Sequence, residues 1–211
     1  MKITPPELES PDSSYVLEEV LEHDQMIAFL KTHGKQAGVW LWRYRILNLL
    51  FFLLLTVLSS YYLAAGKLSG DQLFQSVSLG FAATFLCIPL HEYLHVLAYR
   101  SQGAKNTSYG VDWKHLVFMA LADEFVAGYK EFRVIALTPF FCISLLAIVG
   151  ALVSPVPYSI GFLTALLIHS SFCYGDFGLL NYMKNQGQED VVTFDRVGEK
   201  KTYFYKRKKV S

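Results

Sequence analysis

The sequence predicts an α-helical integral membrane protein with about four transmembrane helices and a small β-hairpin or re-entrant loop between the second and the third. Composition is the first reason: of 211 residues, 53% are hydrophobic, 15% are aromatic and only 18% are charged, which is too apolar for an ordinary soluble domain. Long uncharged runs are the second reason. The net charge is only +1, so nothing indicates a nucleic-acid partner.

Four apolar stretches are each long enough to cross a bilayer as a helix, which takes about 20 residues. In chain order, the predicted spans are 46–66, 73–99, 134–153 and 158–182. The first contains no charged residue, and the second contains Pro89. Because proline interrupts helical hydrogen bonding, we expect a kink or a loosened helix there.

Basic residues fall on one side of this four-span arrangement. They are Arg43, Arg45, Arg100, Lys105, Lys114, Lys130, Arg133, Lys184 and the basic residues of the tail. Only Lys67 remains on the opposite side. By the positive-inside rule, we expect a multi-pass protein of the cell membrane with both termini in the cytosol. The closing basic run at 206–209 is expected to meet anionic lipid headgroups of the bilayer.

The chain is predicted to consist of an acidic cytosolic N-terminal segment, a four-span membrane domain and a basic cytosolic tail, at 1–42, 43–185 and 186–211. Residues 1–13 are rich in proline and acids and are expected to be disordered. At 14–32, apolar residues recur with helical spacing, which predicts an amphipathic helix. The tail contains two possible short strands, 191–194 and 202–205.

The second span carries His91, Glu92 and His95 in the run Leu-His-Glu-Tyr-Leu-His. Residues four apart lie on one face of a helix, so both imidazoles can point at a single cation. Glu92 is placed beside them to accept a proton from water. This His-Glu-x-x-His arrangement is typical of zinc metallopeptidases. A structural cluster of mutually satisfied polar side chains is the alternative.

The fourth span contains the acid Asp176, eight residues before Lys184. His91 and His95 lie nine and five residues before Arg100. At a rise of about 1.5 Å per residue, the three side chains are predicted at similar depths. Two histidines and a carboxylate form the open three-ligand set of a catalytic zinc site. A protonated Asp176 that is hydrogen-bonded to a neighbour is the alternative.

Two further kinds of metal-ligating residue occur in the spans. His169 lies seven residues before Asp176 on nearly the same helix face, where it could line a cleft or form a hydrogen bond to another helix; the second interpretation is favoured. The cysteines Cys87, Cys142 and Cys173 lie in apolar runs without ligand spacing. They are therefore interpreted as small core residues.

The segment between the second and third spans has strand character at 108–113 and 115–121. A short sheet or a re-entrant loop over the site would suit this composition. The edge of such a sheet could hold substrate as an added strand, since a peptide must be extended to be cut. A plain surface hairpin fits the same residues.

The 91–95 run, the 129–139 run leading into the third span and the Gly175-Asp176 pair resemble a bacterial family of membrane zincin peptidases, the DUF3267 group. The resemblance covers roughly residues 70–185. The chain is also similar to a reduced form of the site-2 intramembrane metalloproteases. It differs from them in having Gly-Asp-Phe-Gly where those enzymes typically have Leu-Asp-Gly.

The resemblance implies a zinc metalloprotease. It implies the roles of metal ligand for His91, His95 and Asp176, and of general base for Glu92. A site buried in the membrane favours membrane-anchored peptides or proteins as its substrates, because they can arrive within the bilayer. A non-catalytic multi-span protein with a structural metal site, or with a role in metal or proton transport, remains the alternative, because transporters also need intramembrane ionisable residues. The sequence predicts neither the particular substrate nor the oligomeric state.

Overall fold

The computed structural model describes residues 3–33, 36–114, 117–187 and 190–208. Helices form most of this part of the chain, as predicted. They are α1 (Pro5–Glu9), α2 (Met26–His33), α3 (Val39–Ala64), α4 (Gly70–Leu86), α5 (Ile88–Ser101), α6 (Tyr129–Val153), α7 (Val156–Phe172) and α8 (Tyr174–Asn185). The strands are β1 (Tyr15–Glu22), β2 (Thr107–Asp112), β3 (Val117–Ala122), β4 (Ala127–Gly128), β5 (Val191–Arg196) and β6 (Lys201–Arg207). His115 and Lys209, which belong to a predicted strand and to the basic tail, lie outside the described residues.

Helices α3 and α6 are each long and apolar enough to cross a membrane, with mean hydropathies of 2.0 and 2.4. Two helix pairs, α4 with α5 and α7 with α8, are long and apolar enough to cross a membrane when each pair is taken together, and each pair is bent by 42° at its break. The described part of the chain therefore has two candidate spans, or up to four if each bent pair is one span. These helices occupy the four apolar stretches of the sequence.

The break between α4 and α5 lies at Cys87, and Pro89 stands in the first turn of α5. Proline has no backbone N–H to donate, and its ring crowds the preceding turn. The first turn of a helix tolerates this loss, because its N–H groups have no partner within the helix. The predicted kink at Pro89 is therefore confirmed, and it turns α5 away from the axis of α4.

Helices α4 and α7 approach each other closely at Gly80. A Cβ atom on Gly80 would lie 2.3 Å from the carbonyl oxygen of Gly161 and 2.7 Å from Cβ of Thr164. Small residues allow such contact between membrane helices, which is held by packing rather than by the exclusion of water. Gly80 thus sets the distance between the two helices that lead into the breaks.

We expect Gly80→Ala to lower the free energy of unfolding by about 1–3 kcal/mol, because the added methyl group forces α4 and α7 apart. Unfolding of the purified protein in detergent, followed by circular dichroism, measures this. Gly70→Ala is the matched control, since a Cβ atom at Gly70 has no neighbour within 4 Å. Equal stability of the two variants would contradict the prediction.

The two end segments of the chain meet in one antiparallel sheet with the strand order β1-β6-β5-β4. The predicted strands at 191–194 and 202–205 are confirmed as parts of β5 and β6. The division of the chain at 42/43 and 185/186 stays a prediction. The pairing of β1 with β6 connects the first and the last of those segments through backbone hydrogen bonds.

The predicted helix at 14–32 is wrong in its first half, which forms β1. Only the second half is helical, as α2. The apolar residues Leu17, Val20 and Leu21 fit helical spacing, but β6 supplies strand partners for this segment from the other end of the chain. Tertiary pairing therefore overrides the local pattern.

The predicted disorder at 1–13 is wrong for the residues of α1. The backbone N–H of Thr4 donates to the Glu7 carboxylate at 2.7 Å, which caps the start of this helix. Leu8 is buried in a core cluster, and Glu9 forms an ion pair with Arg196 at 2.7 Å. These contacts fix α1 to the sheet.

Strands β2 and β3 form a second, two-stranded antiparallel sheet in the stretch between α5 and α6. Its register runs from Thr107 opposite Ala122 to Asp112 opposite Val117. The hairpin packs along α5, and the Arg100 guanidinium donates to the Thr107 hydroxyl at 3.2 Å. Strand β3 therefore lies beside the helix that carries the His-Glu-x-x-His run.

Asp195 on β5 is a buried carboxyl group where the two sheets meet. Its Oδ1 accepts from the Thr202 hydroxyl at 2.7 Å, and its Oδ2 accepts from the backbone N–H of Ala122 at 3.1 Å. Only 7% of the residue is exposed. Burial raises the pKa of Asp195 from 3.8 to about 6, because the carboxylate loses its hydration.

The free energy of unfolding is expected to decrease as the pH rises from about 4 to about 6. Because folding raises the pKa of Asp195, its protonated form stabilises the protein fully below the ordinary value, and this contribution is lost as the pH passes about 6. Asp195→Asn cannot ionise and is expected to flatten this part of the curve. Asp12→Asn changes an exposed acid and serves as the control. Denaturation at several pH values provides the test, and an unaltered slope in Asp195→Asn would contradict it.

Candidate metal centre

Two helices that follow the breaks bring three side chains to one point. His91 and His95 lie one turn apart on α5, and Asp176 lies in the first turn of α8. The Nε2 atoms of His91 and His95 are 3.0 Å apart. Asp176 places Oδ2 at 3.4 Å from Nε2 of His91 and Oδ1 at 3.2 Å from Nε2 of His95. The three ligands predicted from the sequence therefore converge.

The contact that Nδ1 of each histidine makes determines whether its Nε2 atom, which faces this point, carries a proton or a lone pair. Nδ1 of His95 lies 2.9 Å from the carbonyl oxygen of Ile135, and Nδ1 of His91 lies 3.0 Å from Nε2 of His169. A carbonyl oxygen can only accept, so Nδ1 of His95 carries a proton, and the neutral His95 ring then presents a lone pair at Nε2. We assign the same tautomer to His91, whose Nδ1 then donates to His169.

This assignment gives a test of whether a cation fits. Two imidazole lone pairs and a carboxylate, all within 3.4 Å of one another, repel each other unless a positive charge lies between them. Nitrogen and oxygen donors in this number suit zinc with one position left open. The donor set therefore fits a zinc ion on its own chemistry.

The partner of His95 exists because of a proline in α6. Pro139 lies four residues after Ile135 and has no N–H to donate to the Ile135 carbonyl. That carbonyl is thus free to accept from His95. A proline inside an apolar span is visible in the sequence, so this signal could have indicated the contact.

His169 contacts another helix and also lines a cavity beside the donor atoms. It is 3% exposed, and its Nε2 lies 3.0 Å from His91 and 3.9 Å from Sγ of Cys173. His91, His169 and Cys173 form a second group whose donor atoms all lie within 4.8 Å of one another. Cys173 is fully buried, as predicted for a core residue. The two groups share His91, so its ring can serve a metal on either side.

Glu92 lies beside the first donor group and is 9% exposed. The backbone amide of Ala120 on β3 faces its carboxylate as a hydrogen-bond donor. Its Oε2 atom is buried and has no hydrogen-bond partner among the described residues. An unsatisfied carboxylate oxygen costs free energy, and a water molecule or a substrate group would satisfy it.

A cavity of about 790 Å³ connects these groups with the four-stranded sheet. Its walls are mostly apolar and include α5, β3, α6 and α8. Helix α2 closes one side, where Leu30 packs so tightly that a Cβ atom on Gly178 would lie 2.7 Å from it. The histidine and acidic side chains of the lining belong to two groups, one around the metal-donor atoms and one around Asp195. The cavity can thus accept an extended, largely apolar ligand.

The helices could cross a membrane and the converging side chains could hold a metal ion, which indicates a metal-binding membrane protein. The family model DUF3267, described as "Putative zincin peptidase", matches residues 84–191, slightly more than half of the chain, and the chain belongs to this family. Zincins are zinc peptidases, so the family implies zinc. Searches of the curated proteins and of the solved structures found no match. The resemblance to site-2 proteases stays a prediction.

Elemental analysis of the detergent-purified protein is expected to find about one zinc per chain. Removing one ligand with His95→Ala or Asp176→Ala is expected to weaken zinc binding by at least about 100-fold. Loss of a residue that only holds a ligand in place already weakens metal binding by up to about 100-fold, and loss of the ligand itself should cost at least as much. Cys173→Ser distinguishes the two donor groups: retained zinc assigns the ion to His91, His95 and Asp176.

Cys142→Ser is the control for handling of the thiol variants, because Cys142 belongs to neither donor group. Zinc that is lost with Cys173→Ser and retained with Asp176→Ala would place the ion in the second group. Absence of zinc from the wild-type protein after loading with zinc would contradict the prediction.

Proposed function

We propose that the protein is a membrane-embedded zinc metalloprotease that hydrolyses peptide bonds of membrane-anchored substrates. One observation carries the proposal: His91, His95 and Asp176 converge beside a buried Glu92 whose Oε2 has no partner among the described residues. A metal site that only stabilises the fold needs the three ligands. It has no need of an unpaired carboxylate next to them.

Each residue has a defined role in this mechanism. Zinc, when bound by His91, His95 and Asp176, would supply the positive charge that polarises a scissile carbonyl and makes water more acidic. Glu92 accepts the proton of the attacking water at Oε2 and passes it to the leaving amine. The Ile135 carbonyl orients His95, and Ala120 orients Glu92.

The substrate is proposed to be a membrane-anchored peptide or protein. Glu92 lies on α5, which together with α4 is long and apolar enough to cross a membrane, so a substrate can reach it from within the bilayer. Strand β3 runs next to Glu92 and belongs to a sheet of two strands among the described residues. An extended peptide along this strand would present its backbone to the site.

A location in the cell membrane with both termini in the cytosol is part of the proposal. It is supported by the apolar helices and by the basic residues that flank them. In this orientation, β1 and β6 lie on the cytosolic side together with the basic end of β6. Attraction between that end and anionic lipid headgroups would hold the sheet near the bilayer.

A non-catalytic role is the second candidate, and the second donor group favours it. His95, His91, His169 and Cys173 form a continuous series of donor atoms from α5 through α7 to the break before α8, with separations of 3.0, 3.0 and 3.9 Å. Such a series could pass a metal ion or a proton between neighbouring sites. A peptidase needs only one end of it.

Glu92→Gln tests the hydrolytic role. The variant keeps the shape of the side chain but cannot accept the proton, so we expect cleavage to fall by about 100-fold or more while zinc content is retained. The zinc-loaded protein is reconstituted in liposomes with a library of single-span peptides, and new peptide termini are detected by mass spectrometry. Glu18→Gln, an exposed acid on β1, is the control.

Cleavage by zinc-retaining Glu92→Gln at the wild-type rate would contradict the hydrolytic mechanism. If the wild-type protein produces no new termini but zinc raises its unfolding temperature, the result favours a structural metal. Zinc uptake into the liposomes that depends on Cys173 would favour transport.

A further inference from the structure

The edge of β3 that does not pair with β2 faces two carboxylates at a fixed spacing. The backbone amide of Ala120 faces the Glu92 carboxylate, and the N–H of Ala122 donates to Oδ2 of Asp195 at 3.1 Å. Backbone amides two residues apart point to the same edge of a strand, about 6.6 Å from each other. Glu92, the proposed proton acceptor, and the buried acid Asp195 therefore face positions on β3 that are two residues apart.

Asp195 carries a negative charge that no nearby cation neutralises. No lysine, arginine or histidine lies within ion-pair distance of it among the described residues, although 93% of the residue is buried. Asp123 is an ionisable neighbour of it and adds a second negative charge. His23 reaches it only through Thr202, with Nε2 of His23 at 3.1 Å from the threonine hydroxyl. Burial lowers the pKa of His23, which keeps its ring neutral at pH 7.

The same cavity reaches both acids. Asp195, Thr202 and His23 line it, and Glu92 lines it as well. Its walls are otherwise largely apolar and are formed in part by β3. A long cationic side chain suits this arrangement, because its methylene stem can cover apolar wall while its charged end meets a carboxylate.

We propose that Asp195 is a specificity subsite for a lysine or arginine side chain located two residues from the scissile bond of the substrate. The inference rests on the proposed peptidase function of the Glu92 site. A peptide extended along β3 advances about 3.3 Å per residue, so the residue two positions from the bond at Glu92 lies beside Asp195. This lysine or arginine lies on the side of the scissile bond that faces the four-stranded sheet.

Synthetic single-span peptides with one cleavage site test this subsite. One lysine is moved through the four positions on each side of the scissile bond, and norleucine replaces it in the matched neutral series. With the zinc-loaded full-length protein in liposomes, kcat/KM is expected to be about 10- to 100-fold higher for lysine than for norleucine at the second position on one side only. A lysine effect that is equal at all positions would overturn the proposal.

Asp195→Asn keeps the size of the side chain and removes its charge. It is expected to bring the ratio of lysine to norleucine cleavage at that position to about one. Asp12→Asn is the matched control, because Asp12 is exposed and does not line the cavity. Unfolding temperature and zinc content verify that both variants fold. A lysine preference that survives in Asp195→Asn overturns the proposal.

A measurement of peptide affinity distinguishes failure of the subsite from failure of the peptidase function. Fluorescein-labelled lysine and norleucine peptides are titrated against zinc-loaded Glu92→Gln protein, and fluorescence anisotropy reports their affinities. Tighter binding of the lysine peptide that disappears in Glu92→Gln/Asp195→Asn supports the subsite even if the wild-type protein cleaves nothing, in which case the peptidase proposal alone fails. Equal affinities for the two peptides overturn the subsite.

Discussion

The contact of two imidazoles and a carboxylate inside a bundle of apolar helices is the constraint on which the rest of the structure depends. Ionisable groups at such a place are costly unless each has a partner. Both helices that carry them follow a 42° bend, which lets α5 and α8 leave the directions of α4 and α7 and bring their side chains together. The Ile135 carbonyl and His169 then hold His95 and His91 so that their Nε2 atoms face one another.

The sheets add what the membrane-type helices cannot supply. Strand β3 provides backbone N–H groups to Glu92 and Asp195, whereas the N–H groups inside a helix are already used. Helix α2 closes the cavity with Leu30 against Gly178, and the pairing of β1 with β6 fixes the segment that leads into α2. The cavity around the donor group is thus completed by the two ends of the chain.

Much of the donor group could be predicted because its signals are local. The four-residue spacing of His91 and His95 places both on one helix face, and counting residues from the basic flanks places Asp176 at a matching depth. Pro139 is visible in the sequence and indicates that the Ile135 carbonyl, the partner of His95, has no helical N–H donor. The contact between His169 and His91 had no signal beyond helical spacing, because it depends on where the packing of α7 against α4 and α6 places His169. Asp195 had no signal at all, since its importance comes only from its position beside β3.

By itself, the sequence determined the helical membrane-type class, the apolar stretches, the kink at Pro89 and the strands of the tail. These follow from hydrophobic length, from proline geometry and from alternation of side chains, all of which act within a few residues. Only the tertiary structure decided that residues 15–22 form a strand, that the hairpin lies along α5 and that Asp195 shares a cavity with Glu92. Each of these depends on partners distant in the chain, and a local pattern such as that of Leu17, Val20 and Leu21 is compatible with helix or strand until β6 supplies the hydrogen bonds.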